Sequence, residues 1–447
     1  MPLEFGTDGI RGLANHELTP ELVLALGRAA ARVLGGPFLV GRDTRRSGPM
    51  LQAAFSAGAA SEGVSVVDLG VIPTPGVAFA SAGRRAPGAV VSASHNPFPD
   101  NGVKLFAPGG RKLTGDEESS LEGELARIAA AAGPGGRPTG AAVGTLESDP
   151  AALDAYAAHL EQSIEGRTLE DLSVVLDCGH GAASTVAPAV VRAAGARVRA
   201  LGDRPDGTNV NQGCGSTDLA ALRAAVVEQG ADAGLAFDGD ADRVLAVDGT
   251  GAVVDGDHLI ALCALDLRSR GRLKGDTVVV TVMTNLGFRQ AMEKAGIAVH
   301  ETPVGDRHVL EALDANGWSL GGEQSGHLIF RELATTGDGI LTGLQLLDLL
   351  ARRGRPLAEL AAEAMTRLPQ VMRNVRLARR RDAASVAAAL GPAVAAEQDR
   401  LAPAGRVLVR PSGTEALVRV MVEAPTEAQA AEAVGRLAAE VERTLGR

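Results

Sequence analysis

The acidic loop DGDADR is the segment whose residue types and spacing point most directly to chemistry. Its three carboxylates stand at alternate positions directly after an apolar run: Asp238, Asp240 and Asp242. Carboxylates spaced this way in one tight loop can converge on a single hard cation, and Mg²⁺ prefers oxygen ligands, commonly including substrate phosphate. An EF-hand is excluded, because its sixth and twelfth positions would be Arg243 and Gly249 instead of Gly and Glu. The loop therefore predicts a magnesium site, with a solvated acidic turn as the alternative.

A second polar loop, SASHNP, carries a candidate nucleophile. Ser94 lies at the end of an apolar run, and the Asn96 and Pro97 pair favours a turn immediately after it. A hydroxyl in that position can attack or carry a phosphoryl group, and His95 can orient or protonate it. Lys104 follows in an apolar context, where burial would lower the pKa of its amine and permit acid–base chemistry. The alternatives are a turn-forming serine and an ordinary edge-strand lysine.

A third loop, GGEQSGH, carries groups suited to a ligand with several hydroxyls. Glu323 and Ser325 can both hydrogen-bond vicinal hydroxyls of a sugar. Gly326 permits close backbone approach, and His327 can act as an acid or a base near neutral pH. Each residue alone could be an ordinary polar loop residue, so the density of the cluster, together with the upstream segment 302–309, is what favours a site.

The loop RPSGTE, between two predicted strands, is a candidate anion site. Arg410 supplies a planar fork that matches phosphate, and Ser412, Gly413 and Thr414 offer hydroxyl and backbone N–H groups for an anion nest. A plain hairpin turn is the alternative, because Pro-Ser-Gly also suits a turn. The N-terminal segment FGTDGIRG adds Arg11, which could reach an anion.

These loops follow apolar runs that alternate with helical stretches, which favours α/β layers with helices on both faces of each sheet. Strands are predicted at Phe38–Val40, Ala89–Val91, Ser173–Leu176, Gly234–Phe237 and Thr277–Val280, and helices at Glu21–Leu34 and Leu219–Glu228.

The strand ends also form a weak internal repeat. Polar glycine-bearing loops follow apolar runs at VGRDTRRSG, VLDCGHGAA and VTVMTNLG, and a second such loop follows each of these at VVSASHNP, LAFDGDADR and LGGEQSGH. Repeated units of this kind predict three similar α/β domains. The tail has a different pattern, which begins with a helix and continues with strands at Arg406–Arg410 and Leu417–Glu423 and a helix from Thr426. This pattern predicts a smaller α+β domain.

Composition sets the class of protein. The chain has 447 residues, 45% of them hydrophobic and 22% charged, which excludes general disorder. The net charge of −10 argues against a nucleic-acid binder but not against an anionic substrate. Three cysteines without CxxC spacing, no evident signal peptide and no run long enough to span a bilayer predict a cytoplasmic protein. Only four lysines occur among many arginines, which a biased genome explains, although it leaves open why those four remain.

The chain resembles the α-D-phosphohexomutase superfamily over almost its whole length. The resemblance rests on five motifs in this order: FGTDGIRG, SASHNP, DGDADR, GGEQSGH and RPSGTE. Within this superfamily the chain is most similar to the bacterial phosphoglucosamine mutases, and phosphomannomutase/phosphoglucomutase enzymes are near relatives. The segments that carry this similarity are the N-terminal FGTDGIRG, DGTNVNQGCGST, TPVGDRHV and the Gln of GGEQSGH. The resemblance implies three similar mixed α/β domains plus a smaller α+β C-terminal domain around a central cleft. The expected ranges are 1–150, 151–255, 256–367 and 368–447.

The resemblance also implies roles. Ser94 would be a phosphoserine, and its phosphate would hold one Mg²⁺ together with the three aspartates. Glucosamine 6-phosphate would place its phosphate on the RPSGTE loop and its hydroxyls on Glu323 and Ser325. Transfer to O1 would form glucosamine 1,6-bisphosphate, which turns round and returns its 6-phosphoryl group, leaving glucosamine 1-phosphate for UDP-N-acetylglucosamine and cell-wall synthesis. The groups expected to stabilise charge or move protons are Arg11, His95, Lys104, Arg243 and His327.

Three alternatives remain at this point. One is phosphomannomutase or phosphoglucomutase activity, because no residue is evidently selective for the C2 amino group. Another is a haloacid-dehalogenase-like phosphatase with Asp238 as nucleophile and Asp240 as acid–base. The third is a non-catalytic sugar-phosphate or divalent-ion binding protein. In every case the expected partner is a small molecule, without nucleic acid or membrane, and the chain is expected to be a monomer or a homodimer.

Overall fold

The computed structural model describes residues 9–130, 136–412 and 415–446. The chain forms two compact units. The first comprises Met1–Met283 and Ile297–Ala364, and the second comprises Thr284–Gly296 and Met365–Arg447.

The first sheet of unit one is built from strands near the N-terminus. They are β1 (Ile10–Leu13), β2 (Phe38–Arg42), β3 (Val66–Val71), β4 (Gly88–Val91), β5 (Asp100–Ala107), β6 (Arg111–Lys112) and β7 (Leu146–Ser148), in the order β1-β5-β4-β2-β3-β7 with β6 beside β5. The helices of this part are α1 (Pro20–Leu34), α2 (Gly48–Ser61), α3 (Thr74–Arg84), α4 (Gly115–Ala130) and α5 (Ala151–Gln162). α1 begins at Pro20 because the Thr19 hydroxyl accepts the Leu22 N–H at 3.3 Å.

Two further sheets complete unit one. The second contains β8 (Ser173–Asp177), β9 (Arg197–Leu201), β10 (Ala233–Phe237), β11 (Val244–Asp248) and β12 (Val253–Val254), with helices α6 (Ala187–Ala193), α7 (Ala220–Gln229) and α8 (Gly256–Ser269). The third contains β13 (Thr277–Thr281), β14 (Ala298–Thr302), β15 (Leu320–Gly322) and β16 (Leu328–Phe330). The helices of this part of unit one are α10 (Asp306–Asn316), α11 (Gly339–Arg353) and α12 (Leu357–Ala364), whereas α9 (Leu286–Lys294) belongs to unit two.

The three sheets share one strand order. β3-β2-β4-β5, β9-β8-β10-β11 and β14-β13-β15-β16 each contain two parallel pairings followed by one antiparallel pairing. The polar loops that sequence analysis singled out, residues 92–99, 238–243 and 323–327, each join the parallel strand to its antiparallel neighbour. The predicted repeat and the α/β fold class are therefore confirmed, and the repeat places the three loops at equivalent positions.

The second unit is an antiparallel sheet backed by helices. Its strands are β17 (Gln370–Arg376), β18 (Arg406–Pro411) and β19 (Leu417–Glu423), in the order β17-β19-β18, and its helices are α13 (Ala383–Leu401) and α14 (Glu427–Leu445). Val418, Val420 and Val422 lie in the core of this unit, so the alternate residues of β19 lie on the other face. The start of α9 is tied to this sheet because the buried Glu423 carboxylate accepts the Leu286 N–H at 3.0 Å.

Strands and helices lie where the sequence predicts them, within one or two residues at each end. The helix predicted before the strand at Arg406 is α13, whereas β17 was not predicted, since it has no motif of its own. The cysteines Cys178, Cys214 and Cys263 are free and buried. Among the described residues, no helix combines the length and apolar character that crossing a bilayer requires.

Candidate active site

The loop after β10 gathers three buried carboxylates. Ligand oxygens of Asp238, Asp240 and Asp242 lie within 4.8 Å of one another. Burial, reinforced by Asp242 and Asp240, raises the pKa of Asp238 to about 8. One carboxylate oxygen of Asp240 and one of Asp242, both Oδ1, are buried and accept no hydrogen bond from the described part of the chain. Buried carboxylate oxygens without a donor are expensive unless a cation binds them, and an all-oxygen donor set fits Mg²⁺.

Ser94 lies directly against this cluster. Its hydroxyl donates to Asp238 Oδ2 at 2.6 Å, and its side chain is fully buried. The residue adopts the left-handed region with φ of +53°, which is strained for a side chain other than glycine. Gly239 lets the acidic loop 238–243, called the metal loop below, come this close, because a Cβ on that residue would lie 2.6 Å from the Ser94 carbonyl oxygen. The structure thus brings the predicted nucleophile loop and the predicted metal loop together.

Lys104, on β5, supplies a positive charge to the same carboxylates. Its Nζ lies 2.6 Å from Asp240 Oδ2 and 2.8 Å from Asp242 Oδ2. Burial would raise the pKa of Asp242, but the Lys104 ammonium and His327 hold that pKa well below its ordinary value. Asp240 also accepts the Thr74 hydroxyl at 2.7 Å, a contact that was not predicted from sequence because Thr74, the first residue of α3, belongs to no recognised motif. Lys104 therefore lies against the carboxylate cluster.

The His95 ring lies beside the Ser94 hydroxyl, and two arginines lie close to that ring. His95 Nδ1 lies 3.3 Å from Ser94 Oγ and 3.3 Å from Arg243 Nη1. Burial lowers the pKa of His95, and the nearby charges of Arg243 and Arg11 lower it further, which favours the neutral ring. Arg11 reaches this position from β1, where it pairs with Gly102 of β5. Two cationic groups therefore lie next to His95, the residue that contacts the Ser94 hydroxyl.

His327 lies buried at the edge of the carboxylate cluster. Its Nε2 is 3.2 Å from Asp306 Oδ2, and its Nδ1 is 3.7 Å from Asp242 Oδ1. Burial lowers the pKa of His327, but the Asp242 and Asp306 carboxylates outweigh burial and raise the pKa above its ordinary value. Lys112 pairs with Asp306 on the other side. From sequence, Asp306 was included only as part of the segment 302–309, and Lys112, which lies on the short strand β6, was not assigned to the site.

The rest of the GGEQSGH loop is held beside the metal loop. The Val244 N–H, directly after the metal loop, donates to the Gly326 carbonyl at 3.0 Å. Glu323 Oε1 accepts the Gly305 N–H at 3.1 Å. Ser325 Oγ is buried and has no hydrogen-bond partner within residues 9–130, 136–412 and 415–446, so it is available to a ligand. The structure brings these predicted residues to the same region as Ser94.

The predicted phosphate site lies in the second unit. Arg410 and Arg419 face each other across β18 and β19, and burial together with the Arg419 charge lowers the pKa of Arg410. Neither guanidinium pairs with a carboxylate in the described part of this unit. Like charges directly opposite in a sheet are unfavourable, so the pair favours an anion between them. Ser412 is buried at the end of β18, whereas Gly413 and Thr414 lie outside the described residues.

Arg419 was missed from sequence. The signal available was the alternation of β19, in which valines at 418, 420 and 422 predict that residue 419 shares a face with residue 410 of the paired strand.

Family models match the chain in four consecutive segments. They describe the α/β/α domains I, II and III of phosphoglucomutase/phosphomannomutase, at residues 2–132, 154–251 and 255–368, and the C-terminal domain of the same enzymes, at residues 372–440. The chain belongs to the α-D-phosphohexomutase superfamily. The resemblance noted from its motifs is thereby confirmed.

Two phosphoglucosamine mutases are similar to this chain over nearly its full length. The phosphoglucosamine mutase of Frankia alni is 54% identical, with 99% of this chain and 98% of that protein covered. The phosphoglucosamine mutase of Symbiobacterium thermophilum is 52% identical, with 100% and 99% covered. The chain is therefore an isomerase of the phosphohexomutase class.

Solved structures agree with the fold. A phosphoglucomutase/phosphomannomutase family protein from Burkholderia thailandensis superposes with a TM-score of 0.81 at 26% identity, covering 98% of this chain and 97% of that one. The Aspergillus fumigatus N-acetylphosphoglucosamine mutase, in complex with GlcNAc-6P and magnesium, shares the fold with a TM-score of 0.69 at 20% identity, covering 100% and 96%.

Proposed function

We propose that this phosphohexomutase interconverts glucosamine 6-phosphate and glucosamine 1-phosphate through a phosphoserine at Ser94 and a bound glucosamine 1,6-bisphosphate. The observation that carries the mechanism is the Ser94 hydroxyl, buried 2.6 Å from Asp238 in a triple-carboxylate cluster. The phosphoglucosamine mutases that are 52–54% identical over nearly their full length support the choice of substrate. The product would supply UDP-N-acetylglucosamine and cell-wall synthesis.

One Mg²⁺ would bind to Asp238, Asp240 and Asp242 and to an oxygen of phospho-Ser94. When bound, it supplies positive charge to the transferring phosphoryl group. The donorless oxygens of Asp240 and Asp242 support this assignment, as does the magnesium in the fungal complex.

Around Ser94, this chain's own cations stabilise the phosphoryl group. Arg11 and Arg243 supply charge beside His95, and the neutral His95 ring, 3.3 Å from the Ser94 hydroxyl, accepts a hydrogen bond or a proton at Nδ1. Lys104 and His327 are the other proton-transfer candidates. His327 is well suited to take the proton of the attacking sugar hydroxyl, because it lies between two carboxylates that stabilise its protonated form.

The remaining residues bind the substrate. Glu323 and Ser325 would accept and donate hydrogen bonds to sugar hydroxyls, which the partnerless Ser325 hydroxyl supports. The phosphate that does not react would bind to the C-terminal loop, at Arg410, Ser412, Gly413 and Thr414. Arg419 adds a second guanidinium opposite Arg410, as a dianionic phosphate requires.

We also propose that the chain divides into domains at 1–150, 151–255, 256–367 and 368–447. The four family-model ranges support this division. The enzyme would act in the cytoplasm on a small sugar phosphate, without nucleic acid or membrane, as a monomer or a homodimer.

A Ser94→Ala variant tests the proposal. ³¹P NMR would follow glucosamine 6-phosphate with Mg²⁺ and a catalytic amount of the bisphosphate, and intact mass would report phosphorylation. We expect the parent and the exposed control Ser120→Ala to form glucosamine 1-phosphate and to carry one phosphate, and Ser94→Ala to do neither. If Ser94→Ala instead released inorganic phosphate from the sugar phosphate, a phosphatase with Asp238 as nucleophile would be favoured. Equal or faster turnover of mannose or glucose phosphates would favour the neutral-sugar mutases.

A further inference from the structure

Two motifs remain without a role in this chemistry: VGRDTRRSG after β2, and DGTNVNQGCGST between β9 and α7. One side chain from each motif reaches the nucleophile loop. Arg45 Nη2 lies 2.8 Å from the carbonyl oxygen of Ser94 and 2.8 Å from that of Asn96. Asn211 Nδ2 lies 2.9 Å and 3.2 Å from the same two oxygens. Side chains from loops that follow strands of two different sheets therefore donate hydrogen bonds to the same short stretch of backbone.

Every N–H group of the Arg45 guanidinium donates to this loop, to Asp43 or to Asp100. Its side chain is buried, its Nε donates to Asp43 Oδ2 at 2.8 Å, and its Nη1 donates to the carbonyls of Pro97 at 2.6 Å and Asp100 at 3.0 Å. With the two contacts of Nη2, all five N–H groups of the fork are used. Lysine has three donors around a single nitrogen and cannot reproduce this planar arrangement.

The amide side of Ser94 is held by the same network. Ser92 Oγ accepts the Ser94 N–H at 2.9 Å and donates to Asp43 Oδ2 at 2.7 Å. Asp43 is fully buried and paired with Arg45. Both peptide groups flanking the Cα of Ser94 are therefore held, one through Arg45 and one through Ser92.

Asn211 connects this loop to the sheet that carries the metal loop. Its backbone N–H donates to the Gly179 carbonyl at 2.9 Å, directly after β8, and β8 pairs with β10. The side chain thus links the Ser94 carbonyl to the sheet from which the three metal-loop aspartates emerge.

We propose that Arg45 and Asn211 are positioning residues for the phosphoryl carrier. They keep Ser94 in its left-handed conformation and aim its Oγ at the metal loop, and neither is expected to contact the sugar. The proposal rests on the proposed function of Ser94. Because Ser94 is strained at a φ of +53°, loss of either donor lets the residue relax and move its Oγ. A displacement of about 1 Å at a reacting group can cost on the order of 100-fold in rate.

The test compares steady-state kinetics of matched variants. We expect Asn211→Asp, which puts a carboxylate oxygen against two carbonyls, and Arg45→Lys to lower kcat by roughly 10- to 100-fold with KM within about threefold of the parent. The rate at which glucosamine 1,6-bisphosphate phosphorylates Ser94, followed by quenched-flow intact mass, should fall in proportion to kcat. The controls are Asn209→Asp, in the same loop, and Arg167→Lys, whose guanidinium pairs with Asp348 away from the site.

The outcomes separate this proposal from the proposed function. A purely structural role would lower the melting temperature of the Asn211 variant without the selective loss of kcat, and that result would overturn the positioning role. Unchanged kcat, a loss confined to KM, or equal losses in the controls would also overturn it. If Arg45→Lys does not fold, Asn211→Ala and Asn211→Asp decide. Retained activity in Ser94→Ala would reject the phosphoserine mechanism itself.

Discussion

Lys104→Met is the perturbation whose consequence the structure defines most sharply. Methionine keeps the length and apolar stem of the side chain and removes only the ammonium charge. That charge lies 2.6 Å from Asp240 Oδ2 and 2.8 Å from Asp242 Oδ2, in a buried setting. The variant therefore leaves three clustered carboxylates without this neighbouring cation.

The magnitude follows from these distances. With an effective dielectric constant of about 20, two unit charges at either separation attract by about 6 kcal/mol, so the two contacts together amount to about 12 kcal/mol. The cost of removing the ammonium from water offsets several kcal/mol of this, and breaking a buried ion pair typically costs about 3–5 kcal/mol net. We expect the free energy of unfolding in EDTA to fall by about 3–5 kcal/mol.

Mg²⁺ should recover much of this loss. A divalent cation can replace the missing charge, and without the ammonium beside them the carboxylates should bind it more tightly. At a free Mg²⁺ concentration of about 100 times Kd, binding adds about 2.7 kcal/mol to stability. The stabilisation by Mg²⁺ should therefore be larger in Lys104→Met than in the parent at every subsaturating concentration.

Urea unfolding followed by circular dichroism, in EDTA and across a Mg²⁺ titration, measures both quantities. Lys274→Met is the control, because that lysine is 57% exposed and pairs with Glu332 at the surface. It should change stability by less than about 1 kcal/mol with no dependence on Mg²⁺. Equal stabilisation of the parent and Lys104→Met by Mg²⁺, or an unchanged Lys104→Met in EDTA, would refute this reasoning.

Buried hydrogen bonds elsewhere give two further predictions. Tyr156→Phe removes the 2.8 Å bond to Asp338 Oδ2 and should lower the unfolding free energy by about 1.5–3 kcal/mol at pH 7.5. Burial raises the pKa of Asp338 to about 6, so the parent loses stability through this group as the pH rises from about 4 to 6. The loss of unfolding free energy caused by Tyr156→Phe should therefore be smaller below pH 6. Equal losses at pH 5 and pH 7.5, measured by urea unfolding, would contradict this. Arg406→Met leaves the buried Glu423 without its partner at 2.9 Å and should raise the exchange rate of the Leu286 amide, while unchanged exchange would contradict the contact.

The contacts of the few lysines could not be predicted from composition. The composition left open why these four lysines remain, and for Lys104 the structure supplies a physical reason: its compact ammonium reaches two buried carboxylates, Asp240 and Asp242. Lys112, which had no explanation from sequence, pairs with Asp306 beside His327. Lys274 forms a surface pair, for which arginine would serve as well.

The loops were predictable because their chemistry is local. Three aspartates at alternate positions after an apolar run must lie close together, whatever surrounds them. Likewise, strands that recur with the same kind of loop predict similar sheets, and the shared strand order bears this out. The family followed from five such motifs in one order, since each motif alone also occurs in ordinary turns.

Contacts made at long range were not predictable. Arg45 stands among three arginines in VGRDTRRSG, and nothing local distinguishes the one that binds the Ser94 loop, about fifty residues away, from its neighbour Arg46. Asn211 reaches Ser94 from another sheet, and Arg419 faces Arg410 only through strand pairing.

The sequence by itself therefore determined the fold class and the repeat and predicted the reactive groups, because strand periodicity and loop chemistry depend on neighbours a few residues apart. The tertiary structure alone decided how those groups act on one another. The distance from Ser94 to Asp238, the left-handed conformation of Ser94, and the lowered pKa of His95 all depend on burial and on charges brought from other elements. Electrostatics and burial act through space, so they become defined only when the chain has folded.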